Sequence, residues 1–411
     1  MNMWKTTVLG SAMAILSGTT AMAGCGIEGG SVRILSNDFP ALHAVAAGAE
    51  ACAGDGVEVS KNQTADHRDI QVAALTANPA QYTVAVVANS SIVPLMNDGL
   101  IRPLDDLVAE HGGQLNKSQL ITIDGKIMAI AFMANAQHLY YRSDILEQVG
   151  VDVPTTYEEV LAAAQAIRDA GIMENPYAMN TAAGWNLAEE FVNMYMGTGA
   201  PFFEAGSAAV SINNEHGVAA LNMLKALNEY ADPDFLTFDS NATQALWEGG
   251  ELALSTMWGS RGGAILDDEG STPEVTGTTV LSVAPTFGGG DIPASTLWWD
   301  GFTIAANISD EDAEASFIAM MNGISTEMVQ ANNDKAVWLI DGYQAGKPAE
   351  GIIATANAGA KPYPMLPYMG ILHTVLGNEL ADFLQGNESA EQALADIEAA
   401  YTAAAKEQGF L

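Results

Sequence analysis

Trp258 and Arg261 are the residues on which a binding chemistry can first be built. They close the stretch 245–263, ALWEGGELALSTMWGSRGG. Its pattern predicts the end of a helix (242–248), a break at Gly249-Gly250, a short apolar strand through Leu252 and Leu254, and a turn carrying Trp258, Gly259, Ser260 and Arg261. In open α/β sheets, ligands bind outside the carboxyl ends of the strands. A strand that ends in an aromatic ring, a glycine and one cation delivers those groups there. Tryptophan offers a wide rigid apolar face with one N–H at its edge. Arginine offers a planar fork of donors that fits a carboxylate or vicinal hydroxyls. The competing assignment is a core tryptophan and a surface arginine. If Arg261 pairs with Asp267, Asp268 or Glu269, it is withdrawn from ligand chemistry.

Other candidates follow from their places at strand ends and loops. Asn37 and Asp38 follow the first strand, and Asn89 and Ser90 follow the third. Asn135, Trp185, Trp299, Asp300 and Tyr363 complete the set. Each has a plainer role to set against this one. Asn89 and Ser90 can cap the following helix, Asp300 can close a turn, and Trp185 can pack on Phe191. Trp298 and Trp299 are consecutive on a strand, so they face opposite ways. Trp247 and Trp338 are expected in the core, and His138 and His373 as satisfied or surface histidines. No G-x-S-x-G, H-E-x-x-H or G-x-x-x-x-G-K-[ST] motif occurs. No catalytic residue, cofactor or metal is assigned.

Composition narrows the class. The 411 residues carry 50 acidic and 15 basic side chains, for a formal charge of −35. Such a surface repels phosphates, which argues against nucleic acid and anionic lipid as partners. With 49% hydrophobic residues the chain has enough apolar material for a folded core. Residues 1–23 read as an export signal. Lys5 is its charged start, Thr6 to Ser17 its apolar segment and Ala21-Met22-Ala23 its cleavage site. The only cysteines, Cys25 and Cys52, suit a disulfide in an exported chain. Met22-Ala23-Gly24-Cys25 also resembles a lipobox, which would place a lipid on Cys25 instead.

The elements that must position these residues alternate strand and helix. Strands are predicted over 31–35, 57–60 and 82–87, with helices over 41–52 and 69–78 between them, which indicates a parallel α/β lobe. A further strand spans 127–132. Thr156 and Glu159 form a capping box, and Ser389 with Gln392 forms another. Asn241 is expected to cap the helix before Gly249, 272–277 to be a polar loop, and 288–290 a glycine linker.

Four segments together resemble the family 1 extracellular solute-binding proteins, the receptors of ABC importers that include maltose-binding proteins. The first is Gly125 to Phe132 with Leu139-Tyr140-Tyr141-Arg142-Ser143-Asp144. The second is Val149-Gly150 to Glu159, with Tyr157 where the family has tryptophan. The third is the stretch around Trp258, and the fourth Ser389 to Tyr401. The resemblance implies an α/β, two-lobe periplasmic-binding-protein fold of type II. Each lobe is then a mixed, mostly parallel sheet flanked by helices. Lobe one would hold 24–134 and 288–333, and lobe two 135–287 and 334–411. The crossings fall near Met133–Ala136, Pro285–Gly290 and Asn332–Val337. It further implies a monomeric periplasmic receptor that closes on a carbohydrate, neutral or a sugar acid, and delivers it to a membrane permease. A polyol or polyamine is the alternative ligand. A secreted glycoside hydrolase is the alternative class, but with 50 acidic residues close carboxylate pairs carry no information.

Overall fold

A computed structural model describes residues 25–54 and 56–411. The expected export signal lies outside the described residues. No described helix is long and apolar enough to cross a membrane.

Eleven strands form one connected sheet system. They are β1 (Ser31–Ser36), β2 (Glu58–Gln63), β3 (Val84–Ala88), β4 (Leu120–Ile123), β5 (Lys126–Arg142), β6 (Tyr177–Ala178), β7 (Leu254–Trp258), β8 (Thr279–Ser282), β9 (Thr296–Ile304), β10 (Val337–Trp338) and β11 (Lys361–Pro362). The main path runs β2-β1-β3-β9-β5-β7-β6. β1 pairs in parallel with β2 and β3, and β6 in parallel with β7. The contacts of β9 with β3 and of β5 with β9 and β7 are antiparallel. β3 is a run of valine and alanine buried at every position, as expected for a strand covered on both faces.

The two largest cores on this system belong one to each half. The first gathers Val32, Ile34, Val84, Ile130, Phe132, Phe302 and Phe317. The second gathers Leu139, Tyr177, Leu187, Phe191, Leu254, Leu376 and Leu394. β5 contributes to both, and so does β9, through Phe302 to the first and Trp298 to the second. These two strands are the crossings that hold the lobes together. The strand expected over 127–132 runs on to Arg142. Met133 to Ala136 stay in the ladder because Asp300, Trp299, Trp298 and Leu297 of β9 pair with them.

Later segments return to both cores. Ala294 and Trp298 pack in the second core. Ala336, Trp338 and Ile340 pack in the first core, because β10 pairs with Met133 and Ala134. The chain returns to lobe two at the Glu350–Asn357 helix. There Gly351 lies so close to His138 that a Cβ would come within 2.3 Å of the ring.

Three local expectations change. The strand placed at Leu252–Leu254 is β7, shifted toward Trp258 by its pairing with Gln137 to Tyr141. The helix Ser240–Glu248 is capped by Asp239, whose carboxylate accepts from the Asn241 and Ala242 amides at 3.0 and 2.9 Å. Residues 273–278 form a helical turn, with Thr272 as its cap and Pro273 at the first position. The Thr156–Glu159 capping box is complete. At Ser389 only half of one forms, because the Gln392 amide donates to Asp396 instead.

Cys25 and Cys52 are disulfide-bonded. The bond ties the start of the described chain to the end of the Pro40–Glu50 helix. It occupies the sulfur that a lipid anchor would need.

Candidate ligand-binding cleft

Where β1, β3 and β7 end and β9 passes, the two lobes face each other across a cavity of about 320 Å³. Asn37, Asp38, Phe39, Arg68 and Asp69 line it from lobe one. From lobe two come Trp185, Asn186, Asp239, Ser240, Trp258, Ser260 and Arg261. Asn135, Trp298 and Asp300 come from the crossing strands.

Three tryptophans form its apolar wall. Trp185 and Trp258 stack at 6.3 Å and 23°. Trp298 meets both edge-on, at 5.6 and 5.7 Å. Trp258 ends β7. Trp185 opens the helix Trp185–Gly197, whose start is set by a close crossing. A Cβ at Gly377, in the Met369–Leu384 helix, would lie 2.6 Å from the Gly184 carbonyl oxygen. Behind Trp185, His373 stacks at 4.8 Å. Its Nε2 is 2.9 Å from the Trp185 carbonyl and its Nδ1 3.0 Å from the Tyr363 hydroxyl. A carbonyl only accepts, so Nε2 carries the proton and Nδ1 accepts from Tyr363. Burial holds this histidine at a pKa of about 3, in the neutral form that arrangement needs.

Trp298 is fixed from below. Its Nε1 donates to Glu189 Oε1 at 3.2 Å and to Thr296 Oγ1 at 2.7 Å. Glu189 and its neighbour Glu190, which accepts from Gln137, are both buried. Burial pushes both carboxyls up to about 8, so both are protonated at neutral pH.

Arg261 faces the cavity and forms no ion pair with Asp267, Asp268 or Glu269. It is 6% exposed. It donates to Ser240 Oγ at 2.9 Å and Gln244 Oε1 at 3.4 Å, and its Nε has no partner. Its guanidinium lies 5.8 Å over the Phe39 ring of lobe one. Arg68, from lobe one, lies 3.8 Å over the Trp185 ring of lobe two. Two arginine–aromatic contacts therefore bridge the cleft in opposite directions. Asp300 sits between the walls, and burial pushes it up to about 7 against the pull of Arg68.

The expected residues are not all brought together. Trp258, Arg261, Trp185, Asp300, Asn37, Asp38 and Asn135 line the cavity. The Asn135 side chain is largely spent inside the protein: it accepts from the Ser260 amide and donates to Ser260 Oγ, holding the turn that carries Arg261. Trp299 is displaced by its neighbour. Strand alternation turns Trp298 to the cavity and sends Trp299 against the lobe-one cluster of Val87 and Ile92. Asn89 is buried and donates to the Leu297 carbonyl. Ser90 and Tyr363 line a neighbouring cavity of about 760 Å³, separated from the first by Arg68 and Trp185, which line both. Trp247 and Trp338 are core residues whose indole N–H groups donate to Thr279 and to the Asn332 carbonyl.

Sequence reasoning missed Arg68, Phe39, Asp239 and Ser240. Arg68 carried one signal, scarcity: the chain has only six arginines.

This is the fold of a two-lobe binding protein, with its site in the crevice between the lobes. The sequence profile of the bacterial extracellular solute-binding proteins matches residues 35–324, and the chain belongs to that family. A probable ABC transporter-binding protein of Deinococcus radiodurans is 24% identical over 271 residues, 63% of this chain and 59% of that protein. An sn-glycerol-3-phosphate-binding periplasmic protein of Agrobacterium fabrum is 27% identical over 131 residues, 29% of this chain and 30% of its own length. The chain thus aligns with about 59% and 30% of these curated relatives. Among solved structures, maltose-bound MalE3 of T. maritima superposes with a TM-score of 0.79 at 19% identity, covering 90% of this chain and 99% of that one. A ribitol complex of a solute-binding protein from Agrobacterium radiobacter K84 gives 0.78 at 20% identity, covering 91% and 98%. A D-mannitol complex from Agrobacterium vitis S4 gives 0.78 at 18%, covering 92% and 99%.

Proposed function

We propose that this chain is the periplasmic receptor of an ABC importer, binding a small carbohydrate between its lobes and presenting the closed form to a membrane permease. The observation that carries this reading is the Trp185–Trp258–Trp298 wall facing polar groups across a small cavity. Sugars pair apolar C–H faces with hydroxyl edges, and such a wall matches both. The volume, about 320 Å³, is near the lower end for ligand pockets and favours a mono- or disaccharide or a polyol. The similar structures hold maltose, ribitol and D-mannitol. Binding without catalysis agrees with the family.

Closure is a population shift. A ligand touching both lobes stabilises the closed form by its differential affinity. A screen of the purified protein against sugars, sugar acids, polyols and polyamines, read by melting temperature, tests the reading. A ligand at 100 times its Kd stabilises the fold by about 2.7 kcal/mol. A shift with polyamines alone, or cleavage of any added oligosaccharide, contradicts it.

A further inference from the structure

We infer that the sugar bound in this cleft carries an oxyanionic group, a carboxylate or a phosphate, that Arg261 and Arg68 receive. The inference rests on the carbohydrate reading and adds the charge of the ligand. It comes from how the chain spends its arginines. Of six, Arg33, Arg102, Arg142 and Arg168 each pair with a carboxylate. Among the described residues, only Arg68 and Arg261 do not, and both line the cleft. In a chain with 50 acidic residues, two cleft guanidinium groups left without carboxylates stand out. Each keeps a buried Nε with no partner. Arg261, 6% exposed, is held only by neutral oxygens of Ser240 and Gln244. An incoming oxyanion supplies the partner that the fold withholds, as a charge-assisted and often bidentate bond.

The acids around the cavity do not cancel this. Asp239 is spent on the amides of its helix, and Asp38 accepts from His43 at 2.5 Å. Asp66 and Asp69 are exposed at the rim. Asp300, displaced toward its protonated form, repels an anion less than an ordinary aspartate.

The test compares matched ligands by calorimetric titration: glucose with glucuronate and glucose 6-phosphate, and galactose with galacturonate. The acidic member of a pair is expected to bind at least about tenfold tighter than its neutral parent, the worth of one charge-assisted bond. Arg261→Met is expected to remove that difference, weakening the acidic ligand at least about tenfold more than its neutral parent. Arg68→Met, on a half-buried side chain, repeats the test if Arg261→Met fails to fold. Tighter binding of a uronate assigns the carboxylate, and of the sugar phosphate, the phosphate. Neutral sugars that bind as tightly as their acids overturn the inference and leave the carbohydrate reading intact. Absence of binding by every sugar overturns both.

Discussion

Three side chains around the tryptophan wall make separable predictions. Trp258 lines the cavity, and on the proposed reading it gives the ligand a face, so Trp258→Ala is expected to weaken binding at least about tenfold, roughly 1.4 kcal/mol or more, measured by titration calorimetry. Glu189 and Glu190 act on stability. Their folded-state pKa values, about 8, lie above the roughly 4.3 of an unfolded glutamate. Between those values the unfolded chain has released protons that the native protein still holds. Stability therefore falls as pH rises through that window, by up to about 1.4 kcal/mol per unit for each group. Denaturant midpoints from pH 5 to 8 should show the decline, and Glu189→Gln should flatten it; an unchanged slope would contradict the buried neutral acid. Of this residue-scale chemistry, Trp258 and Arg261 were legible because a strand end announces them. The Glu189–Trp298 bond was not. It joins residues 109 positions apart, and glutamates on a helix otherwise read as a solvated face. Arg68 escaped because nothing local marks a helix residue that reaches across to the other lobe.

The elements place these groups through two features, a close helix crossing and a pair of through-going strands. At the crossing, Gly184 and Gly377 let the Met369–Leu384 helix touch the start of the Trp185 helix, where the Gly184 amide donates to the Gly377 carbonyl at 3.2 Å. Gly377→Ala puts a methyl 2.6 Å from a backbone oxygen, so the helices must separate. A loss of about 1–3 kcal/mol and weaker ligand binding through a displaced Trp185 are expected, read by denaturation and titration of the same variant. Periodicity and caps placed most helices and strands to within a few residues. They ended at 132 a strand that runs on to 142, and read 272–277 as a loop, for different reasons. A crossing strand has the local composition of a link, and only its partner β9 reveals that the ladder continues. A helix of six residues is too short for a period to show.

At the scale of the molecule, the acid excess and the bridged cleft set the behaviour. A formal charge of −35 strains the compact state by self-repulsion. The screening length falls from about 30 Å at 0.01 M salt to about 8 Å at 0.15 M. The melting temperature is therefore expected to rise by several degrees over that range, and a flat or falling trend would contradict self-repulsion as the dominant surface term. The Arg68–Trp185 and Arg261–Phe39 contacts favour the closed arrangement. Arg68→Ala should enlarge the radius of gyration of the ligand-free protein in small-angle scattering, and an added ligand should reverse the change. The two-lobe plan was legible from the order of loose motifs. The strand pairings that join the halves were not, because β9 and β10 return to a strand laid down more than 150 residues earlier.

A small carbohydrate held on the tryptophan wall between the lobes is probed by calorimetric titration of the wild-type protein and Trp258→Ala with a sugar or polyol that raises the melting temperature. Saturable 1:1 binding to the wild type and at least about a tenfold loss in the variant are expected. Equal affinity in the two proteins, with both fully folded, would contradict it.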